Sequence, residues 1–217
     1  MIDPAGPISR GQMAINPSTS PGDGSLQTTS RLIPAVFATH LEEAQFLFAE
    51  RQEILRSAEF TAVELADLDT RLAAHLDGLT LAGDAELELL QERLVSDEVD
   101  VVSTATTVLL RLRSTEAAGI VLRALAAATG GQLTGICQAL CHGPIDSILF
   151  DLQRMLEKAS SSVAASIALA LAWQNQSGLQ VTRLRALLDD PDPTVRQLSW
   201  RTAALLTPSH AQQLLNS

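Results

Sequence analysis

One ten-residue stretch constrains the fold more than any other: Leu187-Leu188-Asp189-Asp190-Pro191-Asp192-Pro193-Thr194-Val195-Arg196. It reads as the end of one helix, an acidic proline turn and the start of a second helix. Asp192 is a good N-cap, and Pro193 fits the first helical position, where its missing N–H costs nothing. Leu184, Leu187 and Leu188 before the turn, and Val195, Leu198 and Leu205 after it, fall at helical spacing.

The same punctuation returns upstream. Leu94-Val95-Ser96-Asp97 matches Leu187-Leu188-Asp189-Asp190 at an offset of 93 residues, three steps of 31. The two intermediate copies fall near Leu125, which leads to a Gly130-Gly131 break, and near Leu156, which leads to Ser160-Ser161-Ser162. The apolar helix from about Val163 carries Ile167, Leu171 and Trp173. No strand-like alternation of any length is present. The turn resembles that between the two helices of a HEAT repeat. The expected fold is therefore all-α, a HEAT-like helical repeat (an α-solenoid) of antiparallel helix pairs, and such repeats generally bind macromolecules. Residues 1–30, rich in Pro, Gly, Ser and Thr, read as a disordered leader. Residues 31–83 read as acidic N-terminal helices, continuous with HEAT-like pairs over 84–217.

The first helix is expected from about Pro34 to Ser57, with Phe37, Leu41, Ala44, Phe48 and Leu55 facing the core. Glu42, Glu43, Glu50 and Glu53 fall mainly on another face, with Phe46 among them. The second helix starts at Thr61, where Glu64 completes a capping box. Its apolar stripe is Leu65, Leu68, Leu72, Leu76 and Leu79, Asp67 and Arg71 form an i,i+4 pair, and Gly83 terminates the segment.

Charge is placed unevenly. The chain carries a net −10. Residues 31–100 hold 16 acids against 5 arginines, a net of −11, and the remainder is close to neutral. This balance argues against direct nucleic-acid binding, which needs Lys and Arg on the phosphates. It offers either a solvated face or a docking surface for a basic partner. No basic-then-apolar leader and no long apolar span appear, so a cytoplasmic protein with reduced thiols is expected.

Residue patterns for chemistry are weak. Cys137, Cys141 and His142 are a poor match to zinc-ligand spacing and read as buried thiols in a helix interface. His40 and His75, on neighbouring helices, are candidates to approach one another or Asp69, in a structural role. Asp189, Asp190 and Asp192 lack the loop of a calcium site. Arg196 is expected to brace consecutive repeats against these acids, and Trp173 and Trp200 to pack in the core. No nucleophile elbow, phosphate-binding glycine loop or metalloprotease motif is present. The expectation is a binding protein, not an enzyme, without metal or cofactor.

Two segments, His40-Leu41-Glu42-Glu43-Ala44-Gln45-Phe46-Leu47 and Leu65-Ala66-Asp67-Leu68-Asp69-Thr70-Arg71-Leu72-Ala73-Ala74-His75-Leu76-Asp77-Gly78-Leu79, resemble the N-terminal region of a family of bacterial HEAT-like proteins encoded beside type VI secretion genes. The resemblance spans Arg31 to Gly83, and the later helices more loosely. It implies a cytoplasmic protein working beside an antibacterial secretion apparatus. The first role it implies is a cognate immunity protein that occludes the active surface of an effector toxin, possibly one with a basic nucleic-acid-cleaving domain. The alternative is an adaptor or chaperone that loads an effector onto the secretion spike. The residues expected to meet the partner are Glu42, Glu43, Phe46, Glu50, Asp67, Asp69 and Asp77.

Overall fold

The computed structural model describes residues 34–176, 181–207 and 212, which belong to one compact unit, Arg31–Ser217. The expected leader, residues 1–30, lies outside the described residues. Among the described residues the chain is all-helical, with ten α-helices and no strand. These are α1 (Pro34–Arg56), α2 (Ala62–Thr80), α3 (Leu87–Arg93), α4 (Val99–Leu112), α5 (Thr115–Ala127), α6 (Gly130–His142), α7 (Leu149–Lys158), α8 (Ser161–Trp173), α9 (Val181–Leu188) and α10 (Pro193–Ala204).

Local chemistry sets the helix ends where the sequence places them. Thr61 is the N-cap of α2: its Oγ1 accepts from the Glu64 N–H, and the Thr61 N–H donates back to the Glu64 carboxylate at 2.7 Å. Asp192 caps α10 by accepting from the Thr194 N–H at 2.8 Å, with Pro193 in the first turn. Arg196 takes a role different from the one expected. Its guanidinium donates to the Asp190 and Pro191 carbonyls at 2.7 and 2.8 Å, bracing its own turn from within. It reaches these carbonyls because the turn folds back over the first turn of α10. The link to the neighbouring pair runs through Asp190, whose carboxylate is hydrogen-bonded to Ser161 at the start of α8. Asp97 makes a corresponding link, accepting from the Gly131 N–H at the start of α6 at 2.7 Å. In both, a turn carboxylate meets the positive end of a neighbouring helix.

The 31-residue step is visible in the packing. Leu94, Leu125, Leu156 and Leu187 are all buried, and the helices that follow them begin at Val99, Gly130, Ser161 and Pro193. These four helices form a row, α4 against α6, α6 against α8 and α8 against α10. Helices α3, α7 and α9 each pack on the next helix of the row, α5 packs on α4, and α1 packs on both α2 and α4. The middle of the row is the driest part of the molecule. Val101 to Leu110 of α4 and Val163 to Leu171 of α8 are buried at every position. A helix covered on all sides cannot be amphipathic. Accordingly α8 carries no charge, and the polar residues of α4's core segment are Ser and Thr. Several of their hydroxyls are satisfied locally, Thr104 on the Asp100 carbonyl at 2.8 Å and Thr107 on the Ser103 carbonyl at 2.7 Å.

Small residues let the row close. Ser103, Gly135, Ser166 and Ser199 recur at intervals of 32, 31 and 33 residues and are all buried. At the α4–α6 crossing a Cβ on Gly135 would lie 2.7 Å from the Val99 carbonyl oxygen and 2.8 Å from the Val102 Cβ. Two long polar side chains strap the pairs together. Gln132 donates to the Leu94 carbonyl at 2.6 Å, and Gln174 donates to the Leu140 and Gly143 carbonyls at 2.6 and 2.7 Å, satisfying groups left open at the ends of α3 and α6.

Two outcomes follow for stability. Gly135→Ala forces backbone apart at the seam and lowers stability by about 1–3 kcal/mol. Gly119→Ala, in an ordinary helical site whose new methyl meets only the Arg123 guanidinium, is neutral or slightly stabilising. Chemical denaturation of the two variants separates seam from propensity. Thr61→Ala removes the α2 cap and costs about 1 kcal/mol. The hydrogen bonds from the Thr61 N–H and hydroxyl hold the Glu64 carboxyl below its ordinary 4.5. Its contribution to stability is therefore present above pH 4.5 and lost as the pH falls through the depressed folded value, so acid melting curves of Thr61→Ala lose part of that slope.

Candidate functional site

Helix α1 turns Glu42, Phe46, Glu50 and Glu53 into an arc of about 80° at 100° per residue, opposite the buried side formed by Phe37, Leu41, Ala44 and Leu47. Phe46 is 61 % exposed, with Glu42 and Glu43 in solvent beside it. Asp67 of α2 is also exposed. It does not pair with Arg71, so the expected i,i+4 ion pair is absent. The other three sequence-derived acids are not free surface charges. Asp69 takes the Arg51 guanidinium at 2.7 Å and ties α2 to α1. Asp77 takes Arg111 at 2.6 Å and ties α2 to α4. Glu50 is half-buried, with one carboxylate oxygen shut off from solvent and without a hydrogen-bond partner. The structure thus leaves Glu42, Glu43, Phe46 and Asp67 uncommitted and gives Asp69 and Asp77 structural duties. Their partners stand 18 and 34 residues away, beyond the reach of a helical wheel.

His40 and His75 do meet. Their Nδ1 atoms are 3.0 Å apart and the rings sit edge to face. One nitrogen must carry the proton and the other the lone pair, so the contact joins α1 to α2 as a single neutral hydrogen bond. The Gly78 backbone lies against the His40 ring, close enough that a Cβ there would touch it at 3.2 Å. No acid completes a catalytic relay, and among the described residues no three His, Cys, Asp or Glu side chains gather as a metal site would require.

The second feature is one that sequence reasoning missed. A groove of about 730 Å³ opens between the end of α1 and the helices α6, α8 and α10. Cys137 and Cys141 lie buried in its floor as free thiols, Cys137 donating to the Ser166 carbonyl at 3.6 Å. Leu169 and Leu133 continue the floor, and Leu55 and Trp173 stand at its sides. Leu55 and Trp173 correct two expectations. Both were expected in the core, and they are 52 % and 47 % exposed. Leu55 does share a helical face with Phe37, but what stands opposite it is the groove and not another helix. Trp200 is likewise exposed, at 63 %. The His142 ring meets Trp173 edge to face with centroids 5.3 Å apart.

The electrostatics of the groove oppose those of the chain. Arg51, Arg56 and Arg201 line it against one acid, Asp192, whose carboxylate is engaged as the α10 cap. Partial burial holds the His142 imidazole below its ordinary 6.5, the Arg51 guanidinium lowers it further, and Asp69 opposes them. At neutral pH the ring is therefore uncharged and the groove's positive charge comes from arginine. No helix among the described residues is long and apolar enough to cross a membrane.

Comparison with protein-family models, with curated proteins and with solved structures yields no match to this chain. The surfaces are therefore read from its own residues.

An NMR titration of the histidines checks this electrostatic picture. His142 titrates below 6.5, and Arg51→Gln moves its midpoint upward, because a positive neighbour that disfavours the imidazolium has been removed.

Proposed function

We propose that the chain is a HEAT-like helical-repeat scaffold that binds another protein and performs no chemistry itself. The row α4–α6–α8–α10, with helices starting every 31 or 32 residues, supports the repeat reading. The observation that carries the binding reading is the solvent face of α1. It presents Phe46, an exposed aromatic on a rigid helix, among acids with no partner of their own. Aromatic anchors ringed by charge are the usual energetic centre of a protein interface, and the charge accelerates encounter with a basic partner.

Joined to the resemblance of residues 31–83 to proteins encoded beside type VI secretion genes, this face suits a cytoplasmic immunity protein. Its Glu42, Glu43 and Asp67 would lie over the basic substrate cleft of an effector toxin. Asp69 and Asp77 hold the α1–α2 platform in place from beneath. An adaptor role uses the same scaffold and differs in its target, a non-toxic segment of the effector.

The test is capture of the tagged protein from the bacterium that makes it, at low and high salt, followed by co-expression with the captured partner. Recovery of one stoichiometric partner whose toxicity is relieved by co-expression supports the immunity reading. Glu42→Arg, Glu43→Arg and Asp67→Arg together should then slow association and flatten its salt dependence, and Phe46→Ala should weaken binding by about tenfold or more. Partner binding unchanged by all four substitutions rejects this face. Recovery of spike components bound without relief of toxicity selects the adaptor.

A further inference from the structure

The groove carries a second binding function, independent of the acidic face. Its position is unusual for this chain. Residues 31–100 hold a net −11, yet three arginines converge here from opposite ends of the sequence. Arg51 is offset by Asp69, whereas Arg56 and Arg201 have no carboxylate partner among the described residues. Between them lies apolar surface that the fold could have covered and does not. Leu55 and Trp173 stay half-open, while the equivalent stripes of α2, α7 and α9 are buried. The floor is rigid, since α6 and α8 are locked into the row on both sides. Helices packed about 8–10 Å apart place the outer members of the α6–α8–α10 trio about 16–20 Å apart. That is the length of five or six residues of extended chain at about 3.3 Å each.

We propose that this groove is a docking site for a short acidic peptide segment of a partner protein, an apolar side chain flanked by carboxylates. The apolar side chain seats on Leu55, Leu169, Leu198 and Trp173. Arg56 and Arg201 receive the carboxylates, where the guanidinium fork makes paired, charge-assisted hydrogen bonds. His142, neutral at physiological pH, steadies the Trp173 indole and adds no competing charge.

The chain supplies its own reporter. It has two tryptophans and no tyrosine, so Trp200→Phe leaves Trp173 as the only indole. The full-length Trp200→Phe protein is titrated with a capped eight-residue Glu/Leu peptide, with its Lys/Leu counterpart and with free glutamate, following Trp173 emission. The expected result is a saturable change with the Glu/Leu peptide alone. Its apparent affinity should fall with salt and drop about tenfold for each of Arg56→Gln and Arg201→Gln. The neutral variants, checked by circular dichroism, keep the test open if the charge reversals do not fold. Glu42→Arg with Glu43→Arg leaves this titration unchanged, which separates the groove from the acidic face. Equal binding of the Lys/Leu peptide, indifference to both arginine substitutions, no saturation with the Glu/Leu peptide, or full competition by free glutamate would each overturn the proposal. So would self-association that is removed by Arg201→Gln, which assigns the groove to a second copy of the chain.

Discussion

At the crossing of α4 and α6 two backbones come so close that only hydrogen fits at Gly135, and a Cβ on Gly131 would run into the Asp97 carbonyl. Packing this tight leaves no room for water, so every polar group on the seam must be satisfied by the protein itself. Ser103 meets this demand by donating to the Gly135 carbonyl, 3.1 Å away across the seam, and Gln132 by reaching back to the Leu94 carbonyl. The seam also places α4 in contact with α1, α2, α3 and α5 at once. The surfaces formed by the first two helices are thereby held in fixed relation to the row that builds the groove. Residues as far apart in sequence as Arg51 and Arg201 line one cavity because α6 and α8 are rigid between them.

Electrostatic work is divided between two kinds of acid. Asp69, Asp77, Asp97, Asp190 and Asp192 serve the fold, as partners of arginine or of helix N-termini. Such contacts are individually modest when exposed. They nevertheless select one arrangement of helices, since each joins elements at least two residues and usually more than ten apart. Glu42, Glu43 and Asp67 serve no such contact and remain as field. The groove is the mirror case. Arg51 is consumed by Asp69, and Arg56 and Arg201 remain available. A protein of net −10 thus presents a localised site of the opposite sign, which sorts partners by charge at two places.

How much of this was legible in the sequence follows from the range of each interaction. Helix ends at Thr61 and Asp192 were legible because caps are made by residues two or three apart. The 31-residue register was legible because Leu94, Leu125, Leu156 and Leu187 repeat one local pattern, an apolar residue at a helix C-terminus. Leu55 and Trp173 were misread for a physical reason. Periodicity reveals which side of a helix is apolar, and only the tertiary structure reveals whether another helix stands opposite. Asp69 and Asp77 looked like surface charge for the same reason, their arginines lying on other helices. The groove had no sequence signature at all. Its arginines occur singly, in helices that share no local motif, and only the closure of the row brings them together.

The apolar residues left open by the fold are costly unless something covers them, and their placement argues for recognition over accident. Phe46 and Trp173 are both mounted on helices rather than loops, and the Trp173 indole is further held by the His142 edge. A side chain immobilised in advance loses little rotamer entropy when a partner arrives, so a larger share of its burial appears as affinity. Each aromatic also stands beside uncompensated charge, acidic at Phe46 and basic at Trp173. Charge steers a partner toward the surface but holds it weakly in water, whereas the aromatic holds tightly but attracts nothing from a distance. The two together, repeated with opposite sign on one rigid stack, are what a binding scaffold requires, and they use none of the clustered acids, bases or nucleophiles that catalysis would need.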